Sequence, residues 1–133
     1  MENMKSILVD AVFCFIVGKE GKFVIFQEMQ NILDGFSNRK IILTNASYEK
    51  FKEYGLDKMP YEVFTLKHDP EKSEPRYYEM MLEHLNLQKE DVIYFEHDEN
   101  AVKSAQSVGI KTYHYDNEKK DLILLKNFLT ENL

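Results

Sequence analysis

The stretch that decides the fold runs from Lys72 to Tyr115, KSEPRYYEMMLEHLNLQKEDVIYFEHDENAVKSAQSVGIKTYHY. Pro75 suits the first position of a helix, where its missing N–H has no intrahelical partner to lose. Tyr78, Met81, Leu82 and Leu85 then fall at i, i+3, i+4 and i+7, an amphipathic stripe. Val92 to Phe95 is a β-rich run that ends on Glu96. Ala101, Ala105 and Val108 share one face of a helix predicted over Glu99 to Val108, with Gly109 just past its end. Ile110 to Tyr115 is the next strand. Two strands joined through a helix pair in parallel, because a crossover of that length returns the chain to the same end of the sheet.

Upstream, the same alternation continues. Ile7 to Val9 is a short apolar run that stops at Asp10, and a second apolar stretch, Ala11 to Val17, follows at once. Gly18-Lys19-Glu20-Gly21 reads as a turn, with Lys22 to Phe26 as a returning strand, so a flap-like hairpin follows the first strand. Gln27 to Leu33 is predicted helical and Gly35 stops it. Lys40 to Leu43 is a strand ending at Thr44-Asn45, and Ser47 caps a short helix that runs to Tyr54. Glu62 to Leu66 is a further strand, and Leu122, Leu125 and Leu129 mark the seam of a last helix. Strand runs without polar alternation imply burial on both faces. The expected fold is an open, doubly wound α/β sandwich.

The 133 residues suit one domain, with residues 1–4 as a loose end. The net charge of −6 argues against nucleic acid as a partner, since phosphate backbones require a basic face. No apolar run spans a bilayer and no leader pattern opens the chain, so membrane insertion and secretion are not expected and a cytoplasmic location is. The single cysteine, Cys14, excludes an internal disulfide framework and a zinc cluster built on cysteines; it reads as a small buried hydrophobe. A protein partner is not readable from these residues.

In doubly wound sheets, ligands bind outside the carboxyl ends of the strands. Those ends carry Asp10, Thr44-Asn45, Lys67 with Lys72 a few residues on, and Glu96-His97-Asp98. Carboxylates, a hydroxyl, an amide and a lysine on one edge suit a divalent cation together with a phosphate-like anion. The bland reading of each is a turn or solvated surface residue; His97 and Asp98 read more often as loop residues than as ligands, and whether either contacts a metal stays open, since a histidine can ligate one. His68, His84 and His114 have no spacing that suggests a metal site. In the Tyr77-Tyr78 and Met80-Met81 pairs, one member of each is expected to be partly exposed.

The Lys72–Tyr115 segment resembles the third and fourth motifs of the haloacid dehalogenase-like superfamily, mostly Mg²⁺-dependent phosphohydrolases. IILTN at 41–45 matches its second motif, and DAVFC at 10–14 meets the first, D-x-D-G-T, only in part. The resemblance implies a Rossmann-like three-layer α/β/α sandwich with a mostly parallel sheet. Only a hairpin-and-helix stretch separates Asp10 from Thr44, so no large cap domain is expected there.

By the same resemblance Asp10 is the nucleophile and Thr44, with Asn45 beside it, binds the phosphate of a small phosphorylated molecule. Lys72 neutralises charge, with Lys67 as its competitor. Mg²⁺ falls to Asp10, the Val12 carbonyl and Glu96. Val12 stands where the family has its second aspartate, the general acid/base, a role that typically contributes about 10²–10⁴-fold. Phe13 and Cys14 replace the motif's glycine and threonine, and His97 replaces a carboxylate. Two readings follow: a catalytically degenerate protein that keeps a vestigial phosphate and Mg²⁺ site, or a weak or specialised Mg²⁺-dependent phosphohydrolase working through an Asp10 aspartyl-phosphate.

Overall fold

A computed structural model describes residues 4–133. Of the loose end expected at 1–4, residues 1–3 lie outside the described residues; Met4 is exposed and precedes the first strand. The elements are β1 (Ser6–Asp10), β2 (Ile16–Lys19), β3 (Lys22–Ile25), α1 (Gln27–Asp34), β4 (Lys40–Thr44), α2 (Tyr48–Glu53), β5 (Glu62–Thr65), α3 (Pro75–Leu85), β6 (Val92–Glu96), α4 (Glu99–Ser107), β7 (Lys111–His114) and α5 (Leu122–Asn132).

Five strands form one sheet in the order β5-β4-β1-β6-β7, and every pairing is parallel. The register sets Asp10 beside Leu43, Val9 beside Phe95 and Thr44 beside Thr65, so the carboxyl ends of the strands align. The chain builds outward from β1 through β4 to β5, then resumes on the other side of β1 with β6 and β7. That reversal places a crevice at the ends of β1 and β6, where Asp10 and Glu96 stand. The β2–β3 hairpin is a separate antiparallel pair beyond β1, and among the described residues no large cap stands over the sheet.

Alternate residues of β1 serve opposite layers. Ile7 and Val9 join Phe15, Met29, Leu33, Leu125 and Leu129 on the α1 and α5 side. Leu8 joins Leu43, Tyr77, Tyr78, Met81 and Ala105 on the α3 and α4 side. The central strands are buried throughout, as their unbroken apolar runs require. Pro75 opens α3 as expected, and Gly109 follows α4 with φ +97°, a left-handed backbone that glycine adopts without steric cost. No described helix is long and apolar enough to cross a membrane.

One packing expectation is corrected. Met80 is partly exposed over buried Met81, but Tyr77 and Tyr78 are both fully buried. Tyr77 reaches sideways, its hydroxyl donating to the Thr44 carbonyl at 2.9 Å, while Tyr78 packs on Tyr94 of β6. Two adjacent helical residues share the core because each ring is long enough to fill a different part of the sheet's face.

Candidate functional site

The strand ends surround a cavity of about 230 Å³ lined by Asp10, Val12, Thr44, Asn45, Lys72 and Glu96, with Phe13, Lys50, Tyr54, His68, His97 and Asp98 among the remaining lining. Every residue assigned to the site from the sequence is therefore at this cavity, and Lys67 is absent from its lining.

Lys72 is the cavity's central cation. Its Nζ lies 2.6 Å from Asp10 Oδ1, 2.8 Å from Glu96 Oε1 and 3.3 Å from the Leu43 carbonyl. The loop that delivers it is tied down by Asn45, whose Oδ1 accepts the Lys72 backbone N–H at 2.7 Å. Asn45 thus positions the lysine, a use its residue type did not disclose. Thr44 is buried, and its Oγ1 accepts from the Ala46 N–H at 3.1 Å.

Glu96 has donors on both oxygens. Oε1 accepts from Lys72 and the Tyr94 hydroxyl, and Oε2 accepts from the backbone N–H groups of His97 and Asp98 at 3.0 Å each. Asp98 caps α4 through the Asn100 N–H.

Two contacts on Asp10 were invisible in the sequence. The Cys14 thiol donates to Asp10 Oδ2 at 3.1 Å, and the His97 ring bonds to the same oxygen through Nδ1. The His97 backbone N–H adds a third contact at 3.2 Å. His97 Nδ1 also lies 3.2 Å from Glu96 Oε2, so the ring nitrogen stands between the two carboxylates. Cys14 is buried as expected, but with its sulfur on the site rather than in a purely apolar environment. The only sequence signal for these contacts was that positions 14 and 97 both depart from the family pattern.

The electrostatics follow from burial and proximity. Burial alone would raise the Asp10 carboxyl, but the Lys72 charge and the His97 hydrogen bond override it and hold the group well below the usual carboxylate range. Burial would likewise favour neutral Lys72, yet Asp10 and Glu96 push its pKa well above the ordinary value. His97 is pulled down by burial but pushed up to about 10 by its bonds to Asp10 and Glu96, so the ring is an imidazolium at neutral pH. Burial and the Asp10 charge drive the Cys14 thiol upward, keeping it protonated. Two anions thus face two cations from the protein itself.

Phe13 forms the outer wall of the site. Its φ is +68°, in the left-handed region, where the family motif places glycine. The ring is half exposed and packs edge-on against His97 and Phe23, at centroid distances of 5.5 and 6.3 Å. The loop therefore turns in the left-handed region at a bulky residue, at a backbone cost of about 1–2 kcal/mol.

No protein-family model and no curated protein sequence matches the chain. Solved structures do match. A HAD-family enzyme of Bacteroides thetaiotaomicron, solved as a variant in complex with magnesium and inorganic phosphate, superposes with a TM-score of 0.66 at 13% identity, over 91% of this chain and 98% of that one. An uncharacterised protein of Corynebacterium glutamicum gives 0.66 at 14% identity, over 96% of each chain. A provisionally assigned beta-phosphoglucomutase of Thermotoga maritima gives 0.60 at 15% identity, over 98% of this chain and 100% of that one. The chain has the haloacid dehalogenase-like fold, with no large cap among the described residues.

Proposed function

We propose that the cavity binds the phosphate group of a small phosphorylated molecule and that the chain does not hydrolyse it efficiently. The observation that carries this reading is the state of Asp10. Its Oδ1 is bonded to Lys72, while Oδ2 takes the Cys14 thiol and both the backbone and the ring of His97. With Oδ2 taken by the Cys14 and His97 donors, the carboxylate lacks a free oxygen on that side for attack on phosphorus, whereas the Lys72 contact alone would not impair it. Val12, the position that would supply proton transfer, offers only hydrocarbon and a carbonyl. Asp98 is committed to capping α4 and Glu96 to its own donors. For binding, Lys72 and His97 supply positive charge, and the Thr44 hydroxyl has a hydrogen to donate to an anion.

The hard oxygen donors of Asp10, Glu96 and the Val12 carbonyl fit Mg²⁺, provided the His97 ring turns out from between the carboxylates. A cation held there would neutralise bound phosphate. The Mg²⁺ and phosphate complex of the Bacteroides neighbour supports this assignment by likeness of fold.

A second reading, a phosphohydrolase acting through an Asp10 aspartyl-phosphate, is favoured by one feature. Asp10 is ionised, lines the cavity and touches Lys72, the arrangement a phosphoryl acceptor needs. The test is calorimetric titration with inorganic phosphate, with and without Mg²⁺, alongside phosphate release from a panel of phosphomonoesters. Binding without turnover is expected. Turnover that disappears in Asp10→Asn would overturn the proposal and establish the second reading.

A further inference from the structure

We infer that Asp10, Cys14 and His97 form a binding site for a borderline-soft divalent cation of the zinc or cobalt class, a site the hard-oxygen Mg²⁺ reading does not include. The inference shares Asp10 with the proposed phosphate cavity and rests on that cavity only for its open side.

Three ligand chemistries converge here: a carboxylate oxygen, a thiol sulfur and an imidazole nitrogen, all within 4.8 Å of one another. Tetrahedral coordination with metal–nitrogen bonds of about 2.0–2.1 Å and metal–sulfur bonds of about 2.3 Å sets ligand atoms about 3.3–3.6 Å apart. Shifts of the order of an ångström bring these atoms to that spacing. The two donors other than Asp10 come from segments 83 positions apart, the β1–β2 loop and the β6–α4 turn, and meet at the same oxygen. Both also stand where the family pattern has a different residue. Threonine and a carboxylate are hard donors; cysteine and histidine change the set toward metals that bind sulfur and nitrogen.

The surroundings suit occupation. Lys72 holds Asp10 Oδ1, which leaves Oδ2 for a cation. Asp10 and Cys14 are buried, whereas the His97 side chain keeps 23% exposure, so the entry side is the His97 side, toward the cavity. Three protein ligands leave a fourth position for water or a bound anion. On binding, the metal–sulfur and metal–nitrogen bonds form while the thiol proton and the Nδ1 proton leave to solvent. Asp10, Glu96 and the thiolate then carry three negative charges against the dication and Lys72, which balances the site as the metal-free pairs do. The Mg²⁺ arrangement requires the His97 ring outside the gap; this one keeps it in place as a ligand.

The experiment titrates the purified, EDTA-stripped and reduced chain with Co²⁺ and records its absorption spectrum. An intense near-ultraviolet thiolate-to-cobalt band and visible bands of tetrahedral Co²⁺ are expected. Because Cys14 is the single cysteine, that band identifies it without a variant. Zn²⁺ at equal concentration should abolish the bands, and Mg²⁺ in large excess should not. Cys14→Ser should lose the ultraviolet band, and His97→Ala should weaken Co²⁺ binding by about tenfold or more. A wild-type spectrum without the thiolate band, or equal displacement by Mg²⁺, overturns the inference. Phosphate titration of the metal-free chain, run in parallel, separates that failure from failure of the cavity reading.

Discussion

Lys72→Met tests whether the site is held together as a charge network. The ammonium bonds to two buried carboxylates, at 2.6 and 2.8 Å, and Asp10 and Glu96 are 1% and 0% exposed. Methionine fills a similar volume, so the packing change is small. What remains is unpaired buried charge, and removing one partner of such a pair costs about 3–5 kcal/mol. A domain's whole stability is about 5–15 kcal/mol, so the loss is large but survivable. His97 stays behind and offsets part of the charge, which places the expectation near the lower end of that range, at about 3 kcal/mol. Adding Glu96→Gln removes the charge that the first substitution left unpaired. The double variant should then be less destabilised than the sum of the two single variants, by about 1–3 kcal/mol. Urea unfolding followed by far-ultraviolet circular dichroism reads this directly, and unchanged slopes would show that the folded and unfolded states keep their compactness. A loss under about 1 kcal/mol for Lys72→Met, with strict additivity in the pair, would refute the network.

Phe13→Gly relieves the left-handed backbone but loses the edge contacts to His97 and Phe23, so its stability should stay within about 1 kcal/mol of wild type. Phe13→Ala keeps the strained φ and loses the same contacts, so it should melt below the glycine variant; the reverse order in thermal unfolding would contradict the account. Val12→Asp places a carboxylate at the cavity and should raise p-nitrophenyl phosphate turnover with Mg²⁺ by up to about 10²-fold, more so when combined with Phe13→Gly. Folded, Mg²⁺-binding variants without turnover would place the lesion at the donors on Asp10 instead. The His97 pKa is raised in the fold, from an unfolded value of about 6.5 to about 10. Its contribution to stability is thus fully present below about pH 6.5 and is lost as pH rises through about 10. Urea midpoints measured in EDTA across that window should fall for wild type more steeply than for His97→Gln.

The parallel sheet was legible because it rests on local patterns. Unbroken apolar runs such as Ile41 to Leu43, the Pro75 start and Gly109 stop, and the helical spacing of Tyr78, Met81 and Leu85 each report burial and backbone preference within a few residues. Alternation of strand and helix then makes parallel pairing, and parallel pairing puts strand ends on one edge. That is why the sequence alone places Asp10, Thr44 and Glu96 on a common edge. The contacts that give the site its character were not legible. Nothing local separates Lys72 from Lys67; Asn45 decides between them by holding the Lys72 backbone. Tyr77 is buried beside Tyr78 because a strand-end carbonyl lies within reach of its hydroxyl. Cys14 and His97 meet on one oxygen of Asp10 only because β1 and β6 are neighbours in register and the hairpin loop turns back at Phe13. By itself the sequence determined the layers, the strand ends and the residue types present there, since these depend on periodicity and composition along the chain. Only the tertiary structure decided which donor bonds to which oxygen, because a hydrogen bond or ion pair is set by distances of a few ångströms between groups up to 87 positions apart.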